Sequence, residues 1–373
     1  MDQKGEFSRT RLAEMITPAV NFFKDENEVI IVSSGAVGLG AKAVKLPRGT
    51  LDLPHRQACA AIGQSLLMDQ YRLLIEPHAV PIAQVLLSAS DFSSRVHYLN
   101  IRETIETLLE MRVIPIINEN DTVSTEELTG EPVSRSFGDN DKLSALIASE
   151  TGADLLILLT DVDGIYNQAP GGEHQAALIP EIKDLSSLIH SLASNATNAQ
   201  SNPKKGGYGR GGISAKLEAA RIASLSGVPT LVISGHKPDQ IEKALTCKSA
   251  NENPGGSWVQ PRKGISRKKR WIGFSSGFKG VLTINEGARR ALLDRQASLL
   301  PVGLVRVEGT FAINETVSIR DESGKELGRG LTSFSSGDLA RVLGKKGVDA
   351  KSILGPDCAD QVIHRDLMIL FES

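Results

Sequence analysis

From residue 28 to about 246, short apolar runs alternate with stretches in which apolar residues recur every three or four positions. The runs at 29–32, 80–87, 113–117, 155–159 and 228–233 are rich in consecutive Val, Ile and Leu. Strands covered on both faces need apolar side chains on both sides of the pleat, so these runs predict buried strands of a parallel sheet. Helices are predicted near 54–76, 91–112, 140–150 and 213–226. In the second of these, Leu99, Ile105, Leu108 and Leu109 fall on one face, with Arg102, Glu103, Glu106 and Glu110 mostly off it. Asp91 and Asp139 are candidate N-caps. The alternation predicts an α/β domain with a mainly parallel sheet sandwiched by helices.

The texture changes after about residue 248. Residues 249–269 are polar, rich in Gly and Pro, and then basic, which predicts a linker. Residues 270–373 carry β-like runs at 280–284, 304–308, 316–319 and 366–371, with helical patterns near 286–294 and 336–343. Asp321 to Gly324 reads as a hairpin turn. A small β-rich domain is therefore expected after an α/β domain over 1–248. At 373 residues the chain exceeds the usual size of one core. The segment 192–212 is a polar loop of a length that is often functional.

Charge changes the picture little. There are 42 Lys and Arg against 44 Asp and Glu, so nothing global argues for nucleic acid or membrane as main partner. Cys59, Cys247 and Cys358 are far apart and fit no zinc or redox spacing, so they read as free thiols. Asn195 begins a glycosylation sequon that reads as chance. Residues 1–15 lack the apolar centre of a secretory signal, and the run at 155–159 is far short of a membrane span. A cytoplasmic protein is expected.

Candidate chemistry gathers where the predicted strands end, which is where doubly wound sheets bind ligands. Ser33 and Ser34 follow the first run, Asn118 to Asp121 the third, and Thr160, Asp161 and Asp163 the fourth. Any one of these reads as a turn and a helix cap; three on one rim are harder to read that way. Residues 206–216, GGYGRGGISAK, head the last predicted helix. Glycines let backbone N–H groups turn toward an anion, the helix start adds its dipole, and Lys216 can reach a phosphate oxygen. The spacing is not that of a Walker A loop. Asp139, Asn140 and Asp141 stand together before an apolar helical run, where one cap would suffice. With Asp121 they suit Mg²⁺, a substrate ammonium group, or the fixing of a lysine. His364-Arg365-Asp366 lacks the partners of a protein-kinase loop, and Asp161 to Gly164 lacks the later ligands of a calcium loop.

VSSGAVGLG (32–40), INENDTVS (117–124), FGDNDKLSAL (137–146), LLTDVDGIY (158–166) and GRGGISAK (209–216) resemble, in order and spacing, the glutamate 5-kinase family of the amino-acid kinase superfamily. Residues from about 270 onward, including KKRWIGF and SLLPVGLVRVEG, look like that family's C-terminal PUA domain. The GRGG form is similar to the kinase half of plant pyrroline-carboxylate synthetases, and the lack of a reductase domain implies a monofunctional kinase. The resemblance implies transfer of the γ-phosphoryl of ATP to the side-chain carboxylate of L-glutamate, with Mg²⁺, in proline biosynthesis. It also implies a homo-oligomer and feedback inhibition by proline. Carried over residue by residue, Ser34, Asp121 and Asn140 bind glutamate, with Asn118 and Asp141 close by. Thr160 and Asp161 line the nucleotide site, and Arg210, Gly211, Gly212, Ile213, Ser214, Ala215 and Lys216 cradle ATP. Lys216 and Asp141 are the expected catalytic pair, with Lys216 countering charge on the transferring group.

The family opens with a strand and a Gly-rich turn bearing a phosphate-binding lysine. Residues 3–14 resemble the segment after that turn, so the first strand is expected to be lacking. Pro18 is expected to kink or end the first helix. Two other readings compete with this one. The first is a related kinase acting on another carboxylate, such as aspartate or acetylglutamate. The second is a non-catalytic RNA-binding protein, suggested by the PUA resemblance and by Arg267 to Arg270, which also reads as a solvated charge run.

Overall fold

The computed structural model describes residues 8–46, 51–123, 140–168, 176–185, 187–189, 191–192, 212–262, 264–275, 277–345 and 347–371. The chain divides into two compact units, Met1–Asp91 with Val96–Gly264, and Phe92–Arg95 with Ile265–Ser373.

In the first unit the apolar runs become strands β1 (Ile31–Val32), β2 (Ile82–Leu87), β3 (Ile114–Glu119), β4 (Leu156–Thr160) and β6 (Thr230–Ser234). They form two sheets. One is parallel, in the order β1-β3-β2; the other runs β4-β6-β7-β5, with β5 (Glu181–Ile182) and β7 (Ser257–Val259). Among the described residues β1 pairs only with β3, and β4 only with β6, so each sheet has one open edge there. Helix α1 (Arg9–Lys24) starts where the Ser8 hydroxyl accepts the Arg11 N–H at 3.3 Å. Pro18 lies inside α1, which continues past it to Lys24 rather than ending there. Its neighbours Ile16, Ala19, Val20 and Phe23 are buried with Leu67, Tyr71 and Ile75 of α3 (Leu53–Ile75) and Ile114 and Ile116 of β3, and this packing outweighs one lost helical bond. Helix α2 (Ala36–Ala43) lies so close to α3 that a Cβ on Gly63 would stand 1.8 Å from the Ala36 carbonyl oxygen.

The helix expected over 91–112 is two helices, α4 (Ala89–Ser93) and α5 (Arg95–Glu110). Asp91 is not the N-cap: it sits in the first turn and its carboxylate accepts the Ser88 N–H at 2.7 Å, the reaching-back half of a capping box. The buried face of α5 is Tyr98, Ile105 and Leu109, while Leu99 is 45% exposed. Helices α6 (Asn140–Thr151) and α7 (Gly212–Leu225) pack on each other. Helix α6 also touches β1, β3 and β4, so it spans both sheets. Part of the expected linker belongs to this unit. Ser257–Val259 is hydrogen-bonded between β6 and β5, with Trp258 buried, which the surrounding polar sequence masks.

The second unit holds a five-stranded sheet in the order β12-β11-β10-β8-β9. Its strands are β8 (Gly280–Ile284), β9 (Leu304–Gly309), β10 (Thr316–Arg320), β11 (Glu326–Leu331) and β12 (Met368–Leu370). Only β8 and β10 are parallel. The turn at Asp321 joins β10 to β11, and Asp321 N donates to Lys325 O at 3.0 Å. The strand β11, ELGRGL, was not expected, since its two glycines and two charges hide an apolar face. Helices at Glu286–Arg295, Ser336–Val342 and Gly347–Leu354 cover the sheet, the last also unforeseen. Among the described residues no helix is long and apolar enough to cross a membrane, and all three cysteines are free.

Candidate functional site

The ends of β1, β3 and β4 carry the expected polar groups. Beyond β1, the Ser33 N–H donates to Ile117 O at 2.8 Å, which ties the end of β1 to β3. Ser33 is buried and accepts the Tyr71 phenol at 2.8 Å; burial pushes that phenol's pKa up, and the bond to Ser33 partly offsets it. Ser34 is exposed, beside the start of α2, which has no side-chain cap. Beyond β4, Thr160 donates to Asp161 at 3.2 Å, and Gly235 N donates to Thr160 O at 2.8 Å. Next to them Lys237 and Asp163 form an exposed ion pair at 2.7 Å.

At the end of β3, Asn118 is 2% exposed. Its Oδ1 accepts the Glu119 N–H at 2.9 Å, and its Nδ2 donates to Gln64 Oε1 at 2.8 Å. Asp121, three residues on, is partly buried. Burial raises its carboxyl above the ordinary 3.8, and the nearby Arg56 guanidinium pulls it back.

The expected catalytic pair meets directly. Lys216 Nζ, in the first turns of α7, donates to both carboxylate oxygens of Asp141 at 2.8 Å. The side chains are 13% and 14% exposed, so the pair is largely removed from water. Helix α6 starts at Asn140, whose Oδ1 is buried without a hydrogen-bond partner. A buried acceptor is costly to leave unpaired, so this atom is a candidate to take a donor from a substrate. Ile213 and Ala215 are half-buried and Ser214 is exposed on α7, which begins at Gly212. Arg210, Gly211 and Asp139 lie outside the described residues. A groove of about 360 Å³ on α5, lined by Asn100, Glu103, Thr104, Thr107 and Leu108, contains none of these groups.

The sequence reading missed Gln64 and Arg56. A signal for Gln64 was present. It interrupts the stripe Ala60, Leu67, Tyr71 and Ile75 that α3 buries, and a polar residue on such a stripe needs a partner.

Comparisons with known proteins identify the family of each unit. Residues 5–234 match the amino acid kinase family, and residues 280–354 match the PUA domain. The fold and the strand-end cluster thus define an amino-acid-kinase domain followed by a PUA domain. The chain is 37% identical over 369 residues to a glutamate 5-kinase of Dictyoglomus thermophilum, covering 99% of this chain and 94% of that one. It is 39% identical over 362 residues to that of Thermus thermophilus, covering 97% and 92%, and 39% over 366 residues to that of Rhodopseudomonas palustris, covering 98% and 92%. The chain belongs to the glutamate 5-kinase family.

Proposed function

We propose that the protein transfers the γ-phosphoryl group of ATP to the side-chain carboxylate of L-glutamate, forming glutamyl 5-phosphate and ADP, the first step of proline biosynthesis. The observation that carries this reading is the contact of Lys216 with both oxygens of Asp141. It joins α7, the helix that follows the glycine-rich sequence, to Asp141 in the first turn of α6, so a nucleotide and an amino-acid acceptor can meet at these two helix starts. A γ-carboxylate oxygen attacks the γ-phosphorus while the bond to the β,γ-bridging oxygen breaks. The carboxylate is ionised at neutral pH, so no general base is needed. The protein's part is positioning and compensation of charge. Lys216, released in part from Asp141 toward the phosphate, compensates the transferring group. Asp141 keeps that ammonium aimed. Thr160 and Asp161 line the nucleotide, while Ser34, Asp121 and Asn140 hold the amino acid; Asn118, expected to touch it too, is committed to the Glu119 N–H and to Gln64 and acts on the substrate only through them.

Among the described residues no group of three His, Cys, Asp or Glu could hold a metal. Mg²⁺ keeps several waters and needs few protein oxygens, so it would be carried largely by the substrate phosphates. Asp161, beyond β4, would face its water shell, and the ion would supply charge neutralisation of the triphosphate. Assembly into a homo-oligomer and inhibition by proline belong to the same reading.

A coupled ADP-release assay over L-glutamate, L-aspartate and N-acetyl-L-glutamate tests it. Turnover is expected with glutamate. Higher turnover of either alternative would overturn the glutamate assignment.

A further inference from the structure

A substrate carrying an ammonium and a carboxylate on one carbon needs an acceptor and a donor side by side. The residues assigned to the amino acid supply acceptors in plenty. Asp121 serves the ammonium, and Asn140 Oδ1 is a buried acceptor without a partner. Ser34 and Asn140 also carry donors, but neither is a buried donor left without an acceptor.

Gln64 has the missing property. It is 8% exposed, and its Nε2 is buried with no hydrogen-bond partner. Its orientation is fixed from below. Asn118 Oδ1 is taken by the Glu119 N–H, so Asn118 presents Nδ2 to Gln64. Gln64 must then present Oε1 to Asn118, which leaves Nε2, a donor, as its outward end. A buried N–H₂ without an acceptor is costly, and the cost is recovered when a ligand oxygen takes the proton. Asn118 stands three residues before Asp121 at the end of β3, so the donor is tied to the same strand end that carries the carboxylate assigned to the ammonium. Arg56, two turns earlier on α3, acts on Asp121 from the same helix and adds positive potential.

We propose that Gln64 is a specificity-determining residue whose Nε2 donates to the α-carboxylate of the amino-acid substrate, held in that orientation by Asn118. The assignment rests on glutamate kinase activity and extends it to a residue with no role in it so far. It predicts that the site selects for an α-carboxylate over an α-carboxamide, because an amide nitrogen facing Nε2 would set donor against donor.

The test is Gln64→Glu, with L-glutamate and its α-carboxamide analogue, L-isoglutamine, as substrates. The variant keeps an oxygen to accept from Asn118, so the local fold is preserved. It replaces the outward donor with an acceptor. With L-glutamate, KM is expected to rise by about thirtyfold or more with kcat within about threefold, as for the loss of a charge-assisted bond made in ground and transition states alike. With L-isoglutamine, KM is expected to fall, so that the preference between the two shifts by about a hundredfold. A merely structural role would raise both KM values together or lower kcat for both, and either result would overturn the assignment of Gln64. Wild-type turnover of aspartate or acetylglutamate without turnover of glutamate would instead overturn the functional reading beneath it.

Discussion

The Lys216–Asp141 pair gives the sharpest test, because its structural and chemical roles separate in one set of variants. Replacing Lys216 by Met removes the ammonium and leaves Asp141 largely out of water with its lysine gone. Breaking a buried pair from one side costs about 3–5 kcal/mol. With side chains at 13% and 14% exposure some water still reaches the site. The lower end, about 3 kcal/mol, is therefore expected. In the double variant Lys216→Met/Asp141→Leu both charges are gone, and stability should return to within about 1–2 kcal/mol of wild type. Turnover should behave differently. A preorganised charge at a transferring phosphoryl group contributes on the order of 10²–10³ in rate. Lys216→Met should lose that much in kcat, and the double variant should not regain it. Urea unfolding and coupled ADP release on the same preparations read the two quantities. If the double variant recovers turnover along with stability, or if Lys216→Met turns over at the wild-type rate, Lys216 acts only as the counter-ion of Asp141, and the mechanism fails.

Three other perturbations probe the same geometry. Asn140→Ala should raise KM for glutamate by about tenfold with KM for ATP unchanged, since it removes a buried acceptor with no partner among the described residues; equal effects on both substrates would assign Asn140 to the fold rather than to the amino acid. Asp121 holds its proton more tightly in the folded chain than its ordinary 3.8, so as pH rises through that value and up to the raised one the unliganded protein should lose stability. Asp121→Asn should flatten this slope in urea midpoints measured from about pH 4 to 7, and an unchanged slope would place its origin elsewhere. Gly63→Ala puts a Cβ 1.8 Å from the Ala36 carbonyl oxygen, and should lower unfolding free energy by at least about 1–3 kcal/mol; an unchanged melting temperature would show that α2 and α3 part easily.

Much of the first unit was legible along the chain. Each consecutive Val/Ile/Leu run became a strand, but only β3 and β6 are buried on both faces; β2 keeps Gln84 exposed and only Leu87 buried. The helices over 140–150 and 213–226 were likewise visible as apolar runs behind polar starts, although the first is buried at consecutive positions 145–150 rather than along one stripe. The failures are local. At α4 and α5 a continuous helical period hid a break, and Asp91 looked like a cap because capping-box residues at either end of the turn are both short and polar. Leu99 faces outward because, at 3.6 residues per turn, it lies about a third of a turn from Ile105 and about opposite Leu108, so it never shared their face. β11 went unseen because a sheet in which glycines let neighbouring strands approach needs little side-chain hydrophobicity. A Cβ on Gly328 would lie 2.1 Å from the Ile369 carbonyl oxygen, which no pattern along one strand can reveal.

The groups able to do chemistry are marked in the chain itself: a lysine behind glycines, a carboxylate and amide at a helix start, and polar residues where strands end. Those are properties of local backbone, which near neighbours in the chain decide. Which of these groups meet is a matter of packing alone. Lys216 and Asp141 are separated by 75 positions and touch because α6 and α7 pack together. Gln64 reaches Asn118 across 54 positions because α3 lies against the end of β3. Partners so distant in sequence leave no period to read, and the free energy that brings them together comes from burial of the apolar faces around them rather than from the polar groups themselves.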